Sequence, residues 1–262
     1  MKKDKNFIIS IDQGTTSSRA ILFNLKGQPV YSSQKEFTQY FPKSGWVEHD
    51  PEEIWSTTKK TLNDVIKKSK KIKGKILTIG ITNQRETTVL WDKKTGKAVY
   101  NAIVWQDRRQ EEFCKKLRKQ NKETLIFNRT GLLIDSYFSG TKIKWILDNV
   151  PLAKKLMKKK QLLFGTIDSF LIWRLTRGKT HATDATNASR TMIYNITNNK
   201  WDETILKILK IDKNILPIVK DCADDYGSTH PSITGKPISI SGVVGDQQSA
   251  SIGQCCFEPG SL

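Results

Sequence analysis

Histidine and cysteine are scarce in this sequence, which has three histidines and four cysteines among 262 residues. The cysteines are Cys114, Cys222, Cys255 and Cys256. None of them shows C-x-x-C spacing, and two adjacent cysteines do not easily form an ordinary bridge. The sequence therefore disfavours a zinc site or a disulfide framework, and we expect reduced, structural thiols.

Long apolar stretches are also lacking. No apolar run approaches the roughly 20 residues that cross a bilayer. A basic start, Met1 to Asn6, precedes the apolar stretch Phe7 to Ile11, which ends at Asp12. That stretch is shorter than a signal-peptide core of about 7–15 residues. We therefore predict a cytoplasmic protein without a membrane span.

Two common nucleotide-binding motifs are missing as well. The Gly-Lys pair that comes nearest to a P-loop, Gly235-Lys236 before Pro237, lacks the leading glycine and the hydroxyl residue. No G-x-G-x-x-G pattern follows a predicted strand, so a dinucleotide-binding fold also loses support.

Positive charge is abundant, with 44 Lys and Arg against 26 Asp and Glu, a net charge of +18. Lysines cluster between Lys67 and Lys75 and between Lys154 and Lys160. Such clusters can bind polyanions. These clusters lack interleaved aromatic residues and arginines, which favours solvated helix faces. We predict no nucleic-acid partner.

The hydrophobic pattern indicates a soluble α/β protein. Three short apolar runs joined by polar turns, at 7–11, 19–23 and 28–31, predict an antiparallel meander. Asp50 before Pro51 predicts a helix start, and apolar residues at helical spacing extend to the basic run from Lys67, where we expect the helix to end. Further strands are predicted at 76–82, 87–91, 102–104 and 237–244, and helices at about 109–120, 141–149, 166–175 and 201–211. This order predicts a mixed sheet flanked by helices, with a helical insertion at about 109–225 as one reading.

The turn after the first strand, Asp12-Gln13-Gly14-Thr15-Thr16-Ser17-Ser18-Arg19, is rich in glycine and hydroxyl residues. Glycine admits close backbone approach, and successive N–H groups with small hydroxyls can hold phosphate oxygens. A carboxylate at the end of the strand can organise hydrated Mg²⁺. The alternative is an ordinary polar hairpin turn.

Three other polar segments follow predicted strands. Asn83-Gln84-Arg85-Glu86 can read vicinal hydroxyls or form a solvated turn with an ion pair. Trp105 suits the carbon edge of a polyol or a core position. Asp246 after Gly245 suits a general base, although aspartate is common in turns.

Taken together, these segments resemble the FGGY family of carbohydrate kinases, and within it the glycerol kinases. The matching stretches are IDQGTTSSRA, GWVEHDPEEIW, IGITNQRETT, NAIVWQDRR, TGLLIDSYFSGTKIKWIL, LLFGTIDSFLIWRLT, TDATNASRTM and SGVVGDQQ. They cover the chain in family order. The resemblance implies two ribonuclease-H-like domains of the actin/hexokinase type, with the active site in the cleft between them.

The resemblance also implies ATP-dependent phosphorylation of glycerol to glycerol 3-phosphate, with a role for each candidate residue. Mg²⁺ would be organised by Asp12. The nucleotide phosphates would contact Thr15, Thr16, Ser17 and Arg19. The glycerol hydroxyls would be held by Arg85, Glu86, Tyr137, Asp246 and Gln247. Trp105 would pack against the carbon backbone, and Asp246 would be the general base.

Two departures from the family pattern affect the prediction. The match covers only the N-terminal domain, here 1–262, so the nucleotide domain with its adenosine pocket is missing and we expect a fragment that is inactive alone. The segment Gly227 to Lys236 lacks the arginine and clustered glycines of the loop that binds fructose 1,6-bisphosphate in some bacterial members. We therefore do not predict that inhibition, and the oligomeric state of the complete protein stays open.

Two other functions remain as alternatives. One is a kinase for another small polyol or sugar of the same family, against which the Arg85-Glu86 pair argues. The other is a non-catalytic ribonuclease-H-like module whose basic surface binds nucleic acid, with a binding constant that falls steeply with salt.

Overall fold

The structure, a computed structural model, describes residues 5–261. Met1 to Asp4, most of the basic start discussed above, and Leu262 lie outside the described residues. The strands are β1 (Asn6–Gln13), β2 (Ser17–Asn24), β3 (Pro29–Glu36), β4 (Glu48–His49), β5 (Lys75–Asn83), β6 (Val89–Asp92), β7 (Ala102–Ile103), β8 (Leu162–Gly165), β9 (Ala182–Asp184), β10 (Tyr194–Asn195), β11 (Lys200–Trp201), β12 (Ile218–Lys220) and β13 (Ser239–Gly245). The helices are α1 (Pro51–Lys71), α2 (Glu111–Lys119), α3 (Glu123–Thr130), α4 (Ser139–Asn149), α5 (Pro151–Lys158), α6 (Ile167–Leu175), α7 (Ala185–Ala188), α8 (Glu203–Leu209), α9 (Pro231–Thr234) and α10 (Asp246–Gly253).

A five-stranded mixed sheet in the order β13-β5-β1-β2-β3 forms the centre of the fold. The strands β1, β2 and β3 pair antiparallel, as the meander predicted. The strand β5 pairs parallel with β1 on one side and with β13 on the other. The predicted mixed sheet is therefore confirmed, and three of its strands end at the same edge.

Alternation along the strands buries one side of this sheet under helices. In β1, Ile9 and Ile11 are fully buried, whereas Ile8, the residue before Ile9, is 37% exposed. Apolar residues of α1 and α6 pack against the same core. The predicted N-cap of α1 is present, since the Asp50 carboxylate accepts a 2.8 Å hydrogen bond from the backbone N–H of Glu52. Every second residue of the strands faces the core, and this apolar side of the sheet packs against the apolar face of the helices.

A second hydrophobic core lies among α2, α3, α4, α5 and α8. The antiparallel pair β6–β8 separates the two cores, because alternate residues point to opposite sides. Trp91 and Leu163 belong to the first core, and Leu90 and Phe164 belong to the second. Since α6 packs in the first core, the segment 109–225 contributes to both cores, and its description as an insertion stays a prediction.

Several element boundaries differ from the prediction. The strand predicted at 87–91 forms at Val89–Asp92 and pairs with β8 outside the main sheet. The helix α1 runs through the basic residues to Lys71, because lysines near a helix C-terminus interact favourably with its dipole. The strand β3 extends to Glu36.

Across residues 5–261, none of the helices combines the length and apolar content that a membrane crossing requires.

The two neighbouring isoleucines of β1 provide a test of this burial pattern. Ile9→Ala should lower the free energy of unfolding by about 2–5 kcal/mol, because it leaves a cavity in the core. The matched control Ile8→Ala should cost about 1 kcal/mol or less, because its side chain is partly solvated. Urea denaturation of both variants measures the difference, and equal costs would contradict the assigned register of β1.

Candidate active site

The polar segments predicted to carry chemistry follow the ends of adjacent parallel strands. In the sheet register Gln13 lies opposite Asn83, and Asn83 lies opposite Gly245. The turn after β1, the segment after β5 and the start of α10 therefore begin side by side. Carboxyl ends of parallel strands are a frequent location of ligand sites in α/β proteins.

The β1–β2 turn presents small hydroxyls at its tip. Its backbone is closed by a 2.9 Å hydrogen bond from the N–H of Gly14 to the carbonyl of Ser17. Thr16 and Arg19 are exposed, and Asp12 lies opposite Arg19 in the β1–β2 ladder. The Arg19 guanidinium donates to the Asp12 carboxylate at 2.5 Å. The turn thus places hydroxyls, a cation and a carboxylate on one accessible surface.

Gln84 connects this turn to the segment after β5. Its side-chain amide donates to the carbonyl of Gly14 at 3.0 Å, and its backbone N–H donates to the carbonyl of Gln13 at 2.7 Å. From the other side, the indole N–H of Trp105 donates to the hydroxyl of Thr15 at 3.1 Å. The predicted phosphate turn is therefore in direct contact with Trp105, one of the predicted polyol residues.

Arg85 joins the ends of β5 and β13. Its Nε donates to Oδ1 of Asp246 at 3.0 Å, and its Nη1 donates to Oε1 of Gln248 at 3.2 Å. The Arg85 side chain is 4% exposed, whereas that of Asp246 is 50% exposed. Asp246 is the first residue of α10, where the helix dipole favours negative charge. The result is a fixed guanidinium beside an accessible carboxylate.

Gly245 is required for this arrangement. A Cβ at this position would lie 2.4 Å from Cδ of Arg85, which is closer than carbon atoms pack. The Arg85 side chain therefore crosses directly over the backbone of the last residue of β13.

Glu86 is buried and conformationally restrained. It is 2% exposed, and its φ of 59° lies in the left-handed region, which a residue with a Cβ adopts only when its surroundings hold it there. The hydroxyls of Ser139 and Thr88 donate to its carbonyl at 3.0 and 3.1 Å. Its carboxylate accepts a 2.7 Å hydrogen bond from Nε of Arg190.

The electrostatic environment of Glu86 has two opposing parts. Burial raises the pKa of its carboxyl overall, and Arg190, Arg85 and Lys142 oppose that shift only in part. Lys142 is fully buried, and burial lowers its pKa to about 7. Its ammonium group donates to the carbonyl of Tyr137. The buried Glu86 carboxylate thus lies against the Arg190 guanidinium, with Arg85 and Lys142 nearby.

Aromatic side chains form one wall of the site. The rings of Trp105 and Tyr137 meet edge to face with centroids 5.6 Å apart. Burial raises the pKa of the Tyr137 hydroxyl, and Glu86 adds to this effect. Most of the predicted substrate residues are therefore brought together.

Gln247 is exposed in the first turn of α10, and its assignment to the substrate stays a prediction. Three further residues, Gln248, Arg190 and Lys142, contact or adjoin the predicted ones; Gln248 accepts from Arg85. Arg190 and Lys142 were not predicted, although Arg190 lies in the stretch TDATNASRTM and Lys142 in the stretch TGLLIDSYFSGTKIKWIL. The available signal for Arg190 was that it is the only basic residue of its stretch.

The predicted Mg²⁺ residue fits only in part. Mg²⁺ sites in such enzymes often combine one or two carboxylates with substrate phosphates. Asp12 supplies one carboxylate beside the hydroxyls of the turn. Within residues 5–261, no group of three or more His, Cys, Asp or Glu is arranged to hold a metal ion. Any Mg²⁺ bound here would take its further ligands from phosphate oxygens and water.

A cavity of about 1170 Å³ lies elsewhere, between the start of α1, the segment 94–101 and the end of α6. None of the predicted site residues lines it. The predicted site is instead a surface at the edge of the sheet, and sequence reasoning did not anticipate the cavity.

Comparison with known proteins identifies the architecture. Residues 7–253 match the family model "FGGY family of carbohydrate kinases, N-terminal domain". The chain is 57% identical over 256 residues to a glycerol kinase of Rhizobium meliloti (strain 1021), covering 98% of this chain and 52% of that protein. It therefore spans about half the length of the curated relatives it matches.

Solved structures agree with this result. The glycerol kinase of Plasmodium falciparum with ADP superimposes with a TM-score of 0.94 at 39% identity, over 98% of this chain and 52% of that one. The gluconate kinase of Lactobacillus acidophilus superimposes with a TM-score of 0.81 at 26% identity, over 93% of this chain and 48% of that one. The predicted resemblance and the predicted actin/hexokinase-type fold are confirmed.

The crossing of Arg85 over Gly245 provides a second test. Gly245→Ala should lower the free energy of unfolding by about 1–3 kcal/mol, because the new Cβ displaces a buried arginine. Gly253→Ala is the matched control, since a Cβ there would meet no atom within 4 Å beyond its chain neighbours and the backbone of its own helix. That change should be neutral or stabilise the protein by up to about 1 kcal/mol. Thermal and urea unfolding distinguish the two, and a neutral Gly245→Ala would contradict the close contact.

Proposed function

The chain belongs to the FGGY family of carbohydrate kinases, and from that membership we propose that it forms the polyol-binding half of an enzyme that transfers the γ-phosphoryl group of ATP to glycerol. One observation carries the proposal: Arg85, Glu86 and Asp246 converge beside a hydroxyl-rich turn at the ends of parallel strands. The named relatives, a glycerol kinase of Rhizobium meliloti and another of Plasmodium falciparum, support glycerol as the polyol.

Asp246 is the proposed general base. Its carboxylate is half exposed at the end of β13, where a substrate hydroxyl can reach it, and Arg85 fixes one of its oxygens. A base within hydrogen-bonding distance of the attacking hydroxyl accepts its proton as the new P–O bond forms. The free oxygen of Asp246 is therefore the proposed proton acceptor.

The hydroxyls of glycerol are the proposed ligands of the neighbouring polar groups. Arg85 can donate hydrogen bonds, Glu86 can accept them, and Tyr137 can do both. Gln247 adds a further amide from the first turn of α10. Trp105 offers a flat apolar surface for the carbon chain. Together these groups match a small molecule with several adjacent hydroxyls.

The β1–β2 turn is the proposed contact surface for the nucleotide phosphates. The Thr15 hydroxyl already accepts from Trp105, so its own hydrogen can point toward a phosphate oxygen. Thr16, Ser17 and Arg19 add further donors on the same surface. Mg²⁺, organised by Asp12, would neutralise charge on the transferring phosphoryl group when bound. Positioning and charge compensation are the main requirements of phosphoryl transfer.

The remainder of the active site is proposed to come from the half of the relatives that this chain does not span. In that arrangement the adenosine group binds the other half, and closure of the two halves excludes water from the phosphoryl group. The 262 residues then supply one wall of the cleft.

A hybrid enzyme tests the proposed function. The chain is joined to the remaining half of the Rhizobium meliloti glycerol kinase, and ATP-dependent phosphorylation is followed in a coupled assay. We expect glycerol to exceed 1,2-propanediol by more than about tenfold in kcat/KM, because a missing hydroxyl leaves buried polar groups unpaired. The 262 residues alone should be inactive. Equal rates on glycerol and 1,2-propanediol would show that Arg85 and Glu86 do not recognise the hydroxyls of glycerol.

A substitution tests the proposed base in the same hybrid. Asp246→Asn should lower kcat by about 10²–10⁴-fold with a smaller change in glycerol binding, because it removes the proton acceptor and preserves the shape. Asp148→Asn is the matched control: its side chain is also 50% exposed and also paired with a cation, Lys144, but it lies on α4. Asp148→Asn should leave turnover unchanged. Near-normal turnover of Asp246→Asn would exclude the assignment.

A further inference from the structure

We propose that Arg190 is a positioning residue of the polyol site, which holds the buried Glu86 carboxylate in the orientation and charge state that accept hydrogen bonds from substrate hydroxyls. This inference rests on the proposed function, since Glu86 is assigned there to the hydroxyls of the substrate. It concerns a residue 104 positions away in sequence from the one it would position.

The contact between the two residues is short and sheltered. Nε of Arg190 lies 2.7 Å from Oε1 of Glu86, whose side chain is 3% exposed. The guanidinium carbon lies 4.9 Å from the ring centre of Phe138 and 5.7 Å from that of Tyr137. A planar guanidinium beside aromatic rings has few alternative orientations. Arg190 therefore fixes one carboxylate oxygen of Glu86 and leaves the other available.

Arg190 is itself attached to both strand ends of the site through the preceding residues. The Asp184 carboxylate accepts from the backbone N–H groups of Thr186 and Asn187 at 2.9 and 3.1 Å, which fixes the start of α7. The Thr186 hydroxyl accepts a 2.7 Å hydrogen bond from the N–H of Gly245, at the end of β13.

The second attachment reaches β5. The side-chain amides of Asn187 and Asn83 exchange hydrogen bonds of 3.0 and 3.2 Å. Asn83 is the last residue of β5, directly before the segment that contains Arg85 and Glu86. The segment from Asp184 to Arg190 is therefore hydrogen-bonded to the ends of β13 and β5. It places Arg190 against Glu86.

The neighbouring cations do not duplicate this contact. Arg85 directs its guanidinium to Asp246 and Gln248, and Lys142 donates to the carbonyl of Tyr137. Burial is the largest effect on the pKa of the Glu86 carboxyl and raises it. The hydrogen bond from Arg190 lowers that pKa directly, whereas Arg85 and Lys142 lower it only through their charge. Tyr137 also faces this carboxylate. Among these groups, Arg190 is the one that hydrogen-bonds the Glu86 side chain.

Loss of Arg190 has a predictable direction. Without its charge and hydrogen bond, burial raises the pKa of Glu86 further. A protonated carboxyl donates a hydrogen bond where the substrate hydroxyl also donates, so polyol affinity is present above the pKa of Glu86 and lost below it. The acid limb of kcat/KM for glycerol should therefore move to higher pH when Arg190 is removed.

Three arginine variants of the hybrid enzyme test this inference. For Arg190→Gln we expect KM for glycerol to rise about tenfold or more, with a smaller fall in kcat, and the acid limb to move up by about one pH unit or more. Arg190→Lys should shift the acid limb less than Arg190→Gln does, because it keeps the charge, but should keep a raised KM, because an ammonium lacks the planar geometry.

The control is Arg174→Gln, which removes another arginine–glutamate pair, Arg174 with Glu52, away from the site. It should leave both KM and the acid limb unchanged. Wild-type KM together with an unshifted acid limb in Arg190→Gln would overturn the inference, as would a shift of the same size in Arg174→Gln.

A direct titration separates this inference from the proposed function. The carboxyl carbon of Glu86 is followed by ¹³C NMR in the 262-residue chain and assigned with Glu86→Gln. Its pKa should be higher in Arg190→Gln than in the wild type, and intermediate in Arg190→Lys. If Arg190→Gln does not fold, Arg190→Lys alone is compared with the wild type, and its pKa should still be the higher of the two. If the hybrid does not phosphorylate glycerol, the proposed function fails and this titration still decides the role of Arg190: an unchanged pKa overturns it.

Discussion

The parallel pairing of β5 with both β1 and β13 ends three strands at one edge of the sheet, and the candidate site depends on that alignment. Gln13, Asn83 and Gly245 stand in register there. Each strand is followed at once by a polar segment, so residues far apart in sequence become neighbours without long loops. The alignment is specified by burial, because a slip of one residue would turn the apolar side of β5 toward solvent.

A buried cluster of paired charges lies in and beside the segment that follows Trp105. Arg109 has a fully buried side chain that donates to Glu48 and Asp107 at 2.7 and 2.8 Å and lies 3.8 Å from the ring centre of Trp46. Asp107 also accepts from the N–H of Val47 at 2.7 Å. Because unpaired buried charge is strongly destabilising, such a cluster tolerates little movement. Asp107 lies two residues after Trp105, whose indole N–H donates to Thr15 of the β1–β2 turn.

Local signals in the sequence predicted the elements better than their partners. The Asp50-Pro51 start of α1 and the meander of β1 to β3 depend on nearby residues, and both are confirmed. The strand β6 was expected near its correct position, but its pairing with β8 depends on a residue pair more than 70 positions apart, such as Leu90 with Phe164. The Arg190 contact with Glu86 is longer still. Neither propensity nor periodicity contains information about such pairs, whereas the family resemblance identified the stretch and not the contact.

The two carboxylates of the site differ in a way that suits different tasks in the proposed reaction. Glu86 is nearly inaccessible and surrounded by cations, which favours a fixed acceptor for hydroxyl groups. Asp246 is half exposed and held on one side by Arg85, so its free oxygen can meet a substrate and later return a proton to water. If the two environments were exchanged, the residue that accepts hydrogen bonds from the substrate would be mobile, and the general base would be inaccessible. In the proposed reaction, this burial pattern, set by one helix start and one left-handed residue, would separate recognition from proton transfer within a single edge of the sheet.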